Sequence, residues 1–179
     1  KPRSPTGYER AKEVDKFRAR VEELGNINTY FFRIQDKNKV IRAPKGIKPL
    51  SEEGRNSLEI DFPRIKNIIR KKICNYGAYA FPNGLCFVDF DMDPNNPGNT
   101  VVPFDKICDF AQTLNTFGVR TRSGGYQFYF QNPGLEDNPH IFYSPDNHQE
   151  GEPLTDAGEL RCKNQYVVCP GSYVPKNGP

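Results

Sequence analysis

Tryptophan is absent from this 179-residue chain, methionine occurs once and histidine only twice. No apolar run approaches the ~20 residues that a membrane-spanning helix needs, so no membrane partner is expected. No secretory signal opens the sequence. The five cysteines form no Cys-x-x-Cys pair, which speaks against a zinc knuckle. An odd cysteine count without a signal points to a reducing interior. Cys162 and Cys169 flank an expected hairpin and could meet across it, although two free, buried thiols are the simpler expectation. The net charge of +3 is too small to argue for a polyanionic partner by itself.

What is present is aromatic bulk, acid in one place and base in two. Thirteen Phe and nine Tyr supply large burial per side chain, enough for one domain. In Phe87-Val88-Asp89-Phe90-Asp91-Met92-Asp93 every second residue from Asp89 is a carboxylate. A strand would place these acids on one face and Val88, Phe90 and Met92 on the other. Like charges side by side repel, and a divalent cation with hard oxygen ligands reverses that penalty; acids that simply face water are the alternative. The segment 64–72, with Lys66, Arg70, Lys71 and Lys72, reads as a basic amphipathic helix, and Lys37, Lys39, Arg42, Lys45 and Lys48 form a second basic cluster. Both suit nucleic acid or nucleotide phosphates, and each taken alone also suits a solvated surface.

Periodicity predicts helices over 9–24, 61–74 and 103–117, the second capped by Asp61 with Pro63 in its first turn. Strands are expected over 28–34, 76–81, 85–92, 120–122, 126–131, 159–162 and 165–169. Pro82-Asn83-Gly84 would join 76–81 to 85–92 as a hairpin, and 159–162 would pair with 165–169 as another. The turn at 36–39, the loop at 43–54 and the loop at 93–100 carry Pro, Gly or Asn. Residues 132–156 are a polar insertion, either ordered or a mobile flap. The expected class is α+β, a mostly antiparallel sheet flanked by helices. The organisation is a lead-in at 1–7, one domain over 8–175 (an N-terminal part 8–75 and an acidic-site sheet 76–175), and a truncated tail at 176–179.

Three pieces then fall together. Parity gives Asp89 and Asp91, Ser123 and Gln127, and Glu159 and Arg161 one shared face, with Val88, Phe90, Phe128, Phe130, Leu160 and Cys162 opposite. Three carboxylates from two strands could hold two Mg²⁺ ions, as nucleotidyl transfer requires. Ser123-Gly124-Gly125 would bring backbone N–H groups to a phosphate, with Arg161 adding charge.

In this order, with Pro170-Gly171-Ser172 downstream and the Lys45-Gly46-Ile47-Lys48-Pro49 loop upstream, the chain resembles the archaeo-eukaryotic primase superfamily. Within it, the likeness is to the bifunctional primase-polymerase (prim-pol) domain of plasmid and viral replication proteins. The resemblance implies an RNA-recognition-like core that performs template-directed nucleotidyl transfer. It implies Asp89, Asp91 and Glu159 as catalytic carboxylates for Mg²⁺ or Mn²⁺. Ser123, Gly124, Gly125, Gln127, Arg161 and Lys48 would serve the nucleotide. The implied partners are a single-stranded DNA template, NTP or dNTP, and further domains such as a helicase, in the cytoplasm of a cell hosting the plasmid or virus. The family has His where this chain has Gln127, which can donate a hydrogen bond but never charges. Some relatives carry a zinc stem; 132–156 offers His140 and His148 but no cysteine, so no zinc is expected and both read as plain loop residues. The alternative is a degenerate primase-like module, or an RNA-recognition-like one in which Tyr126 and Phe128 stack bases.

Overall fold

Thr6 accepts a hydrogen bond from the Glu9 N–H and starts α1 (Gly7–Glu23), whose Ala11, Val14, Phe17 and Val21 form one buried stripe. These coordinates are a computed structural model that describes residues 3–25, 28–35, 39, 41, 43–121 and 123–174. The expectations for Lys37, Arg42 and Arg122, for most of the 36–39 turn and for the 176–179 tail therefore lie outside the described residues.

After α1 come β1 (Phe31–Ile34), α2 (Glu52–Leu58), α3 (Phe62–Arg70), β2 (Asn75–Ala80) and β3 (Leu85–Phe90). Then follow α4 (Phe104–Leu114), β4 (Gly118–Arg120), β5 (Tyr126–Gln131), β6 (His140–Tyr143), β7 (Thr155–Arg161) and β8 (Gln165–Val168). The strands form two antiparallel sheets, one ordered β1-β2-β8 and one ordered β4-β5-β3-β7-β6. The class is α+β, as expected.

Three apolar clusters hold the layers together. The first lies between the sheets, where Leu85, Phe87 and Tyr129 meet Tyr76, Ala78, Ala80 and Val167, together with Phe17 of α1 and Ile65 and Ile69 of α3. The second fills the far face of the larger sheet, with Val88, Phe90 and Phe128 against Ile107 of α4. The third covers the outer face of the smaller sheet with Phe32, Ile34 and Tyr79. Burying these aromatic side chains stabilises the fold by roughly 1.5–3 kcal/mol each.

Two expected hairpins do not form. β2 and β3 are joined by the Pro82-Asn83-Gly84 turn, yet β2 pairs with β1 and β8 while β3 pairs with β5 and β7. Likewise β7 and β8 enter different sheets. A strand buried on both faces reads as a continuous apolar run in either sheet, so local pattern does not assign its partner. Two elements appear where loop was expected: α2, capped by Ser51, and β6 inside the polar insertion. α3 stops at Arg70 rather than at 74, because Lys72 turns the chain with φ of 58°.

The insertion is ordered by two asparagines. Asn132 is buried; its amide donates to the carbonyls of Phe81, Leu135 and Cys162, and its oxygen accepts from the N–H groups of Gly134 and Leu135. Asn138 accepts from the N–H groups of Cys162 and Lys163. Arg10, also buried, donates to the Gly171 carbonyl at 2.7 Å, the Cys74 carbonyl at 3.0 Å and Asn75 Oδ1 at 2.9 Å. It thereby ties α1 to the start of β2 and to the Pro170-Gly171-Ser172 turn. No disulfide joins the described cysteines; Cys162 lies beside Cys86 on the neighbouring strand rather than against Cys169.

Candidate active site

The face of the larger sheet that packs into the first cluster is apolar at one end and acidic at the other. Leu85, Phe87 and Tyr129 occupy the packed end. One step along, Asp89 stands directly across from Gln127 on β5 and from Glu159 on β7. Glu159 is in turn opposite His140 on β6. Side chains directly opposite share a face, so these residues form one row across the sheet. The expected convergence of Asp89, Gln127 and Glu159 is therefore present in the pairing itself.

Two glycines permit this close pairing. A Cβ on Gly158 would lie 1.8 Å from the Asp89 carbonyl oxygen, and one on Gly125 would lie 2.4 Å from that of Phe90. Gly158 also has φ of +145°, a conformation that other residues adopt only with strain.

Beyond the row the two sheets diverge and leave a cleft of about 400 Å³. Asp89, Asp91, Ser123, Gly125, Gln127 and Arg161 line one side; Tyr166, Val168, Pro170 and Ser172 line the other, and Lys39 stands at the edge. That volume falls within the range of small-molecule sites. Among the described residues, Lys48, Gly124, Glu159, Lys66, Arg70, Lys71 and Lys72 are not part of this lining. Lys48 is exposed near the start of α2, and Lys66 pairs with Asp15 at 2.8 Å across α3 and α1. Lys39, from the same basic loop as Lys48, is the lysine whose charge reaches Asp89.

Arg161 balances the acids. Its guanidinium lies 3.3 Å from Asp89 Oδ2 and 3.1 Å from Glu159 Oε1, and Nη1 donates to the Tyr166 carbonyl of the other sheet at 2.9 Å. It does not neutralise the group fully. Burial, followed by the charges of Asp91 and Glu159, pushes the Asp89 carboxyl up to about 6 against the pull of Arg161. Asp91 is pushed up too, by burial first and then by Asp156 and Glu159. Among the described residues, no three His, Cys, Asp or Glu side chains are gathered into a ready-made cation cage.

The Ser123-Gly124-Gly125 turn departs from expectation. The N–H of Gly124 donates to the Thr121 carbonyl at 3.0 Å and that of Gly125 to Thr121 Oγ1 at 3.0 Å. Both donors are spent inside the turn, so it does not offer them to a phosphate. Ser123 and Gly125 still line the cleft. Gln127 is held by Tyr129, whose hydroxyl donates to Gln127 Oε1 at 3.0 Å and leaves the amide N–H groups free to act as donors. Tyr129 follows Gln127 by two residues, so strand parity alone was enough to find it. Asp93 lies in the loop after β3, where its carboxylate accepts from the Asn95 N–H. Ser172 pins its turn to β2 through both the N–H and the carbonyl of Tyr76. Phe128, a stacking candidate under the RNA-recognition alternative, is buried in the second cluster.

Among the described residues, two sheets and four helices make an α+β domain, and residues 28–179 match the N-terminal domain of bifunctional DNA primase/polymerases. The chain belongs to that family, whose members are nucleotidyltransferases of DNA replication. No curated relative matches the chain. Among the described residues no helix is long and apolar enough to cross a membrane.

Proposed function

We propose that this chain joins nucleotides on a single-stranded DNA template: the 3′-hydroxyl of one nucleotide attacks the α-phosphate of an incoming NTP or dNTP and releases pyrophosphate. The observation that carries this reading is the pairing of Asp89 with Gln127 and Glu159 beside a nucleotide-sized cleft that Asp89 and Gln127 line, with the Asp89 carboxyl pushed up to about 6 by burial and by the charges of Asp91 and Glu159. A cluster of partly desolvated carboxylates that destabilises itself marks a site rather than a structural feature.

Asp89, Asp91 and Glu159 are the residues that would hold the two Mg²⁺ or Mn²⁺ ions. Their oxygen donors fit, because Mg²⁺ takes one or two carboxylates, keeps several waters and draws further ligands from substrate phosphates. When bound, such ions supply Lewis-acid polarisation of the phosphate and a lowered pKa for the attacking hydroxyl. Arg161 pairs with oxygens of Asp89 and Glu159 and keeps these side chains in place. Gln127, oriented by Tyr129, donates to the triphosphate, and Ser123 adds a hydroxyl. Lys39 contributes positive charge at the cleft edge. Lys48, Lys66, Arg70, Lys71 and Lys72 would serve the template at a distance from the chemistry. Positioning and charge supply most of the acceleration in such a reaction. The setting we propose is cytoplasmic, in a longer plasmid- or virus-encoded replication protein that continues into a helicase.

Thermal shift with Mn²⁺ and a nucleotide tests the reading. Joint addition raises Tm by several degrees, more than either alone, and Asp89→Ala with Asp91→Ala abolishes the gain. No cation-linked stabilisation would return the chain to the class of RNA-recognition-like binders.

A further inference from the structure

β6 sits at the edge of the acidic sheet, and its register against β7 shifts between Ile141 and Phe142. Ile141 and Tyr143 pack into the second cluster on the far face, so His140 and Phe142 project from the face that carries Asp89. The two rings are neighbours, with centroids 6.4 Å apart and planes tilted by 32°. The His140 ring is fixed by Asp156, Nδ1 to Oδ2 at 2.8 Å. Phe142 is 59% exposed, an open aromatic surface inside a polar segment. It pairs with Asp156, next to Ala157, whose carbonyl accepts the Asp91 N–H. Phe142 is thus level with Asp91 along the strands and two strand spacings, about 10 Å, across the sheet.

We infer that His140 and Phe142 form the stacking platform for the base of the 3′-terminal nucleotide of the growing strand. The inference rests on the nucleotidyl-transfer reading. Attacking and leaving oxygens lie roughly in line in phosphoryl transfer. Ser123 and Gln127 place the departing pyrophosphate on the β5 side of Asp89, so the attacking hydroxyl must arrive from the β7–β6 side. The side chains waiting there are aromatic, and every base offers a π-face to such a ring. Asp156 and Glu159 beside them disfavour a phosphate but not the neutral face of a base, so the contact is made by the base.

The chain has no tryptophan, so Phe142→Trp places a single reporter on the platform. A primer–template duplex with Mg²⁺ quenches its fluorescence, and the same duplex ending in a 3′-abasic residue binds about tenfold more weakly with little quenching. In primer extension, Phe142→Ala raises the primer KM about tenfold and Phe142→Tyr restores it. Equal quenching by both duplexes, no quenching, or an unchanged primer KM in Phe142→Ala overturns the platform. Extension by the wild type together with absent quenching removes the platform alone. Absence of extension by the wild type, read in a separate assay, removes the polymerase reading.

Discussion

The Tyr129 hydroxyl donates to Gln127 Oε1 at 3.0 Å from a fully buried ring, so a group of the apolar core aims a group of the cleft. Tyr129→Phe removes that bond and lets the amide turn. A hydrogen bond of this kind is worth about 1 kcal/mol, so nucleotide affinity falls roughly fivefold while Tm changes little. Gln127→His places a chargeable donor at the same point and tightens nucleotide binding about tenfold, most strongly below pH ~6.5, where the imidazole charges. Titration of a labelled nucleotide across pH checks both; no effect of either substitution would mean that Gln127 does not face the phosphates.

Asp89 makes the folded protein pH-sensitive. Its carboxyl is raised to about 6 from an ordinary value of 3.8, so its penalty is absent below pH 3.8, where folded and unfolded chains are both protonated. As pH rises from there, the unfolded chain loses the proton first, and stability falls until the folded carboxyl has ionised near pH 6. The full penalty above that is on the order of 3 kcal/mol. Cation-free Asp89→Asn is therefore more stable than wild type at pH 7.5 by several degrees in Tm, and the gap closes towards pH 4. Paired melting curves at the two pH values measure this, and a less stable variant at pH 7.5 would contradict it.

Arg161 is the partner of both Asp89 and Glu159. Arg161→Met leaves two partly buried acids facing each other and destabilises the cation-free protein by about 2 kcal/mol, less than a fully buried pair would lose because the guanidinium still meets solvent. The same change costs clearly less in an Asp89→Asn background. A double-mutant cycle by denaturant unfolding reads the coupling, and strict additivity would show that the pair is not energetically linked.

Gly158→Ala drives a methyl into the Asp89 carbonyl oxygen and strains a φ of +145°. We expect a loss of 2 kcal/mol or more, together with weakened cation-linked nucleotide binding, because β7 must move away from β3. Ala157→Gly, one residue earlier, should leave nucleotide binding much closer to wild type. Equal nucleotide affinity in Gly158→Ala and wild type would show that the close approach is not needed.

Much of the site was legible because strand parity is a strong local signal. Alternation in 85–92 and 159–162 put Asp89, Asp91, Glu159 and Arg161 on one face, and the register Asp89↔Glu159 joins them as that parity implies. Sheet membership was less legible. Nothing local to Pro82-Asn83-Gly84 says that the chain leaves one sheet for another, since both flanking strands are buried on both sides. The sequence alone directs the Gly124 and Gly125 N–H groups at a phosphate, because the competing acceptor, Thr121, comes within reach only when the turn closes. His140 reads as a loop residue in the sequence because the polar segment around it hides a strand that is short, at the sheet edge and half exposed.

Nucleotide incorporation is the most direct test of the central claim, that Asp89 and Asp91 serve a nucleotidyl transfer. With a single-stranded DNA template, labelled nucleotides and Mn²⁺ or Mg²⁺, the wild type forms template-dependent products, and Asp89→Ala with Asp91→Ala lowers the rate by at least about a thousandfold. Product formation that is absent, or equal in the two proteins, contradicts it.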